Sequence, residues 1–125
     1  PTEAEWERVC RGATQTSRYF GETDRLLGSY AWYTKNSGDR QMLEVNELRP
    51  NSGGVFGLYG NAFEWCIDIA VLYPSAASIS GDSGQGGQVS DSASRVLRGG
   101  SFSNNAAYMR SANRSNYRPD NRNDS

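Results

Sequence analysis

Arg95 to Asn123 reads RVLRGGSFSNNAAYMRSANRSNYRPDNRN, and it divides at Gly99-Gly100 into two unlike halves. Before the glycines, Val96 and Leu97 lie between Arg95 and Arg98 and predict a short buried strand. The glycine pair lets the backbone turn, or pass close to another segment where a Cβ would collide. After it, residues 104–123 hold six asparagines and four arginines, with only Ala106, Ala107, Tyr108, Met109, Ala112 and Tyr117 available for burial. A segment of that composition is ordered only by an underlying scaffold, and polar loops held on scaffolds are where function concentrates.

The remainder of the chain has the means to be that scaffold. Its 125 residues, with three Trp, seven Tyr and four Phe, fit one domain with a real core. Fourteen glycines and many Asn and Ser predict a loop-rich fold with little regular structure and argue against a helical bundle. No apolar run is long enough to span a membrane.

Charge is unevenly distributed. From Arg95 onward there are six arginines and two aspartates, a net +4, whereas the first 94 residues carry seven basic and twelve acidic side chains, a net −5. The expected consequence is that the two parts pack together and neutralise one another. Arginines interleaved with Asn and Ser, without lysine clusters, make a poor nucleic-acid footprint, so no nucleic-acid partner is expected.

Histidine is absent, which excludes a His-containing triad, a His-ligated zinc or haem and an imidazole general base. The two cysteines, Cys10 and Cys66, belong to no CxxC, so a metal-thiolate site is not expected. Buried apolar thiols and a disulfide both stay open for them.

Upstream of the opening stretch, residues 75–94 are rich in Ser, Gly, Gln and Asp and predict a surface loop. Gly84, Gly86 and Gly87 do not make a phosphate loop, since no Lys-Ser/Thr follows them. Residues 66–73 carry Ile67, Ile69, Val71 and Leu72 around Asp68 and predict a short buried segment ending at Pro74. Between Pro50 and Trp65, glycine-rich turns lead to Gly60-Asn-Ala-Phe-Glu-Trp65. There Glu64 reads either as a hard-cation ligand or as an ordinary hydrogen-bonding carboxylate, and spacing alone favours the second.

Residues 13–49 are irregular, with aromatics at Tyr19-Phe20 and in Tyr30-Ala-Trp-Tyr33 that supply core area more readily than a stacking platform. At the start, Thr2 and Glu5 form a capping box for a helix whose Trp6, Val9 and Cys10 share one face and which stops at Gly12. Asn113-Arg-Ser115 and Asn123-Asp-Ser125 match the glycosylation acceptor pattern, which matters only in a secretory pathway. Arginines 110, 114, 118 and 122 recur every fourth residue, but Pro119 and the Asn and Ser around them oppose a helix. They read instead as separate anchors reaching back to the acidic body.

Several phrases, in order along the chain, carry a resemblance. They are Pro1-Thr-Glu-Ala-Glu-Trp-Glu with Cys10-Arg-Gly12, Tyr30-Ala-Trp-Tyr33, Pro50-Asn51, Gly60-Asn-Ala-Phe-Glu-Trp-Cys66, Arg95-Val-Leu-Arg-Gly-Gly-Ser-Phe102, and Arg110-Ser-Ala-Asn-Arg114 with Pro119-Asp120. Together they resemble the formylglycine-generating-enzyme, or sulfatase-modifying-factor, domain. The resemblance implies an α+β fold, a variant of the C-type-lectin architecture with small twisted antiparallel sheets, few helices and long packed loops. It also implies that residues 1–125 are the C-terminal portion of a single such domain, truncated at both ends, with a sheet edge left unpaired.

Catalytic members of the family oxidise a cysteine of a client sulfatase to formylglycine with molecular oxygen and a copper ion held by two thiols just after the Gly-Gly-Ser turn. Here that loop reads Ser101-Phe-Ser-Asn-Asn-Ala-Ala-Tyr108, several residues shorter and without cysteine. Amides and hydroxyls do not replace soft thiolates for copper(I), so copper is not expected and no catalytic residue is assigned. Cys10 and Cys66 fall in scaffold phrases. The related iron-dependent sulfoxide synthases need a histidine cluster, and this chain has no histidine.

The family also carries structural calcium, for which the matching ligands are the carbonyls of Gly60 and Ala62 and the carboxylate of Glu64. A fourth family position, an Asp or Asn, falls on Gly57 here and loses its side-chain oxygen. Three functions follow as expectations. The first is a non-catalytic module for a protein or peptide ligand, of the kind bacteria fuse to other domains. Its surface comprises Ser101, Ser103, Asn104, Asn105, Tyr108, Arg110, Asn113, Arg114, Asn116 and Tyr117. The second is a formylglycine-generating oxidase, and the third a hypervariable binding protein of the diversity-generating-retroelement type.

Overall fold

A computed structural model describes residues 1–38, 41–71 and 92–120. Within them the chain forms one helix, α1 (Glu3–Arg11), and five short strands: β1 (Ala31–Trp32), β2 (Tyr59–Gly60), β3 (Glu64–Ile69), β4 (Arg95–Arg98) and β5 (Ser115–Tyr117). The expected loop at 75–91, the stop at Pro74, the acceptor at Asn123 and Arg122 lie outside the described residues.

Helix α1 begins as its sequence dictates. The Thr2 hydroxyl accepts from the Glu5 amide at 3.2 Å, and the Glu5 carboxylate accepts from the Thr2 amide at 2.9 Å. Asp68 then reaches in from β3 and accepts from the Glu3 amide at 2.7 Å, satisfying another of the orphan donors of the first turn. At the far end the Gly12 amide donates to the Arg8 carbonyl.

The buried face of α1 differs from the expected one. Trp6 and Cys10 are buried, but Val9 is 47% exposed. The helix is rotated so that Glu3 and Glu7 flank Trp6 and Cys10 on the inner side, where both meet the buried Arg98. At 100° per residue this rotation places Val9 at the edge facing water.

Strands β3, β4 and β5 form an antiparallel sheet with β4 in the middle. Trp65 lies opposite Leu97 and Leu97 opposite Ser115, while Arg95 lies between Ile69 and Tyr117. Two extra residues of β3 are accommodated as an irregularity between Trp65 and Ile69. The second sheet is a two-residue parallel pair, β1 with β2, so antiparallel pairing holds for the larger sheet alone. At Gly60 that pairing is so close that a Cβ would sit 2.0 Å from the Trp32 carbonyl oxygen, and φ is +71°.

The expected buried segment is a strand only as far as Ile69, and it is not buried throughout. Cys66 faces inward, whereas Trp65, Ile67, Ile69 and Val71 are each 42–63% exposed. The reason is the period of two: one face of β3 packs on α1, and the other carries the alternate apolar side chains outward.

The core combines Trp6, Cys10, Tyr19, Leu27, Ala31, Tyr33, Leu58, Tyr59, Cys66, Val96 and Met109. The aromatics of the irregular segment are its centre, with Tyr19 stacked on Tyr59 at 4.7 Å and Phe20 on Tyr30 at 4.5 Å. The core reading holds for Tyr30 and Tyr33, whereas Trp32 lies outside the core, its indole N–H tied to the Glu44 carbonyl at 2.9 Å. Cys10 and Cys66 are both free thiols, which closes the disulfide alternative.

Candidate functional site

The basic and acidic halves meet at Arg98. Its side chain is fully buried at the end of β4 and donates to the carbonyls of Ser111 and Asn113, each at 2.6 Å, and to the Glu7 carboxylate. Glu3 lies 3.6 Å away, and the guanidinium sits 4.9 Å from the Trp6 ring centroid. A buried guanidinium is tolerated only when it is paired and hydrogen-bonded in this way. Arg114 repeats the motif nearer the surface, donating to both Glu3 carboxylate oxygens at 2.5 and 2.7 Å and to the Val71 carbonyl at 3.0 Å. Of the four expected arginine anchors, Arg114 reaches the acidic body, whereas Arg98, which is not one of the four, is the most deeply buried. Arg110 instead donates locally, to the Ala107 carbonyl.

These anchors hold down the loop that follows Gly99-Gly100. Gly100 adopts φ +81°, and a Cβ there would meet the Met109 thioether at 2.9 Å. Ser101, Phe102, Met109 and Ser111 are buried pins. Ser101 is braced by Asn104, whose Oδ1 accepts from the Ser101 amide at 3.0 Å, and its hydroxyl lies 3.0 Å from that of Ser103. Ser111 joins a buried polar chain in which its hydroxyl stands 2.6 Å from the Tyr59 hydroxyl and 3.7 Å from the Cys10 sulfur. Arg18 supports the loop from beneath, donating to the Ala106 carbonyl at 2.9 Å.

Between the pins Asn104 and Ala106 are half-buried and the other residues are exposed. Ser103, Asn105, Ala107, Tyr108 and Arg110 are exposed on one short loop, and tight turns carry it from Asn105 to Tyr108 and from Arg110 to Asn113. The ten expected surface residues thus separate into groups. Ser101 is wholly buried, Asn113 gives its carbonyl to Arg98, and Arg114 is committed to Glu3, so these three are supports. Asn104 is half-buried and bonded to Ser101. Asn116 and Tyr117 are exposed, but as neighbours on β5 they point to opposite faces of the sheet. Ala107 and Ala112, which the sequence offered for burial, are exposed instead.

The remaining expected site lies at Gly60, Ala62 and Glu64. Glu64 is half-buried, and its Oε2 accepts from the Trp6 indole N–H at 2.9 Å. Burial holds its carboxyl above the ordinary carboxylate range, although that hydrogen bond works in the other direction. No group of three His, Cys, Asp or Glu among the described residues could hold a metal ion. Gly60, Ala62 and Glu64 supply about half of the six to eight oxygens that calcium takes, so they fit it only with water completing the shell.

The thiols are placed away from the loop. Cys10 stands on α1 and Cys66 on β3, and burial pushes Cys66 up to about 11 and Cys10 upward as well. Protonated thiols in apolar surroundings are inert. They are not on the loop after Gly100 and do not fit a copper(I) site there. An open groove lined by Glu3, Ala4, Glu7, Arg8 and Asp68 flanks α1 and shares no residue with the loop.

A family model described as the sulfatase-modifying factor enzyme 1-like domain matches residues 1–125. The chain belongs to that family. Among curated relatives of this sulfatase-modifying-factor-like chain are formylglycine-generating enzymes of Streptomyces coelicolor, 33% identical, and Bos taurus, 32% identical. Each alignment covers 96% of this chain but only 42% and 35% of the relative, so the chain spans well under half of their length. Among solved structures, Treponema denticola variable protein 1 superposes with a TM-score of 0.77 at 35% identity, over 95% of this chain and 41% of that one. PvdO from Pseudomonas aeruginosa shares the fold, with a TM-score of 0.73 at 23% identity over 95% of this chain and 46% of that one. The α+β, C-type-lectin-like architecture is therefore the family's own. Among the described residues no helix is long and apolar enough to cross a membrane.

Proposed function

We propose that this chain is the display end of a binding module, in which the loop after Gly100 recognises a protein or peptide. One observation carries this reading: the loop holds no cysteine and exposes Ser103, Asn105, Ala107, Tyr108 and Arg110 between the buried Phe102, Met109 and Ser111. Serine and asparagine supply adaptable hydrogen bonds, and tyrosine supplies broad contact area at low entropic cost. Pinning by Ser101, Met109 and Ser111 orders the loop before any ligand arrives, which lowers the entropic cost of binding.

The competing reading, a formylglycine-generating oxidase, draws on the names of the curated relatives. It is tested by supplying the full-length protein with copper(I), oxygen and a cysteine peptide bearing the sulfatase motif. Binding by the loop predicts no aldehyde, and aldehyde formation at enzymatic rates overturns it.

A variable binding protein is a more specific form of the same reading, supported by the resemblance to Treponema denticola variable protein 1. In that form, a reverse transcriptase gene and a template repeat neighbour the coding sequence, and sequences from sister isolates differ mainly at the exposed positions 103, 105, 107, 108, 116 and 117. Differences spread equally over buried positions sink it. Structural calcium at Gly60, Ala62 and Glu64 belongs to the proposal too. A chelator then lowers the melting temperature of the wild type and leaves Glu64→Ala unmoved.

A further inference from the structure

Two exposed cations bracket the loop after Gly100. Residues 33–36 form a tight turn, in which the Asn36 amide donates to the Tyr33 carbonyl at 3.0 Å and the Tyr33 amide donates to Asn36 Oδ1 at 2.8 Å. That turn is bonded to the loop, since the Thr34 amide donates to the Asn104 carbonyl at 3.1 Å and the Ser37 hydroxyl to the Phe102 carbonyl at 2.9 Å. Lys35 is therefore exposed at the third position of a turn fixed beside Ser103 and Asn104, and its ammonium has no ion-pair partner among the described residues. At the other end of the loop Arg110 is exposed too. Its Nε donates to the Ala107 carbonyl at 2.8 Å, which holds the guanidinium against the loop and leaves its two terminal nitrogens without a partner among the described residues. Those two nitrogens form a fork that matches a carboxylate. No acid balances the pair locally, because residues 33–38 and 99–119 contain neither Asp nor Glu. Of the carboxylates on neighbouring segments, Glu22 accepts from the Ser17 amide at 3.2 Å, and neither it nor Glu44 pairs with Lys35 or Arg110.

We infer that the ligand of this loop is an acidic segment of a protein, whose carboxylates are taken by Arg110 and Lys35 while the exposed Tyr108 supplies broad contact area. The inference rests on the binding reading above and adds to it the charge of the ligand. The chain as a whole carries a net charge of −1, so two unneutralised cations on one loop are a local feature, and such features steer and select partners of opposite charge. A carboxylate met end-on by a guanidinium accepts paired charge-assisted hydrogen bonds, and fixing that guanidinium in advance through Ala107 lowers the ordering cost. Two cations fall short of the basic stripe that holds a polynucleotide, which favours an acidic peptide as the occupant.

The test pans a displayed library of random peptides against the full-length protein. Enriched peptides should carry Asp and Glu well above the input library and bind Arg110→Gln about tenfold or more weakly than the wild type. Their affinity should also fall several-fold when salt is raised from about 0.1 M to about 0.5 M. Because Arg110 braces Ala107 as well, Lys35→Glu supplies an independent variant, which should keep the wild-type melting temperature and lose the same peptides. Peptides that need Tyr108 but show no acidic enrichment, or that bind Lys35→Glu and Arg110→Gln as tightly as the wild type, overturn this inference and leave binding by the loop standing. Peptides indifferent to Tyr108→Ala, or a library with nothing enriched, overturn both. Competition by a single-stranded oligonucleotide as strong as that by a free peptide of equal charge overturns the choice of a peptide ligand.

Discussion

Residues 95–102 and 103–110 are adjacent in sequence and opposite in physical character. Every residue from Arg95 to Phe102 is buried, including two arginines and a serine, whereas Ser103, Asn105, Ala107, Tyr108 and Arg110 are exposed within the next eight. In the first region polar groups are spent on the fold: Arg98 alone ties α1, β4 and the loop at Ser111 to Asn113. In the second, the outward side chains bond only within the loop: Ser103 to Ser101, Asn105 to the Ala107 amide and Arg110 to the Ala107 carbonyl. The boundary between buried and exposed residues falls at Phe102 and Ser103.

The comparison breaks most visibly at Arg98. Arg98→Met leaves Glu3, Glu7 and two carbonyls without their buried cation and should cost about 3–5 kcal/mol in urea unfolding. A loss no larger than that of a surface substitution would show that the buried network is not what holds the loop. Next comes Gly100→Ala, which forces a Cβ against Met109 in a backbone conformation that disfavours it. The expected cost is roughly 1–3 kcal/mol, with the loop carrying the displacement.

Glu64→Gln sharpens the comparison through pH. Because burial raises the Glu64 carboxyl in the folded state, the folded protein binds more protons than the unfolded one in the interval above the ordinary carboxylate pKa. Wild-type stability therefore falls as pH rises through that interval, whereas the glutamine variant keeps the Trp6 hydrogen bond without the penalty. With chelator present, the variant should gain on the wild type as pH rises from about 4 to 7. Parallel melting temperatures across that range contradict this. Tyr108→Ala should have the smallest effect on the fold, within about 0.5 kcal/mol. Against a ligand of the loop, the same substitution should weaken binding tenfold or more.

Much of this architecture was legible in local chemistry. The capping box at Thr2 and Glu5, the strand at Arg95 to Arg98 and the anchor at Arg114 are written in neighbouring residues and in charge. What local pattern did not show depends on contacts across the chain. Val9 faces water because Glu3 and Glu7 are drawn inward to Arg98, an interaction 91 residues away in sequence for Glu7. Ser101 and Ser103 look alike in sequence, yet only the first is buried, because Asn104 folds back onto it. The alternating row on β3 reads as a buried strand until the sheet shows which of its faces α1 covers.

The measurement that bears most directly on the division of labour is a complete single-substitution scan of residues 95–110 in the full-length protein, read by protease resistance. The predicted profile is intolerant from Arg95 to Phe102, tolerant at Ser103, Asn105, Ala107, Tyr108 and Arg110, and intolerant again at Met109. A uniform profile, or intolerance at the five exposed positions equal to that of β4, would contradict the account of a fixed scaffold displaying a replaceable surface.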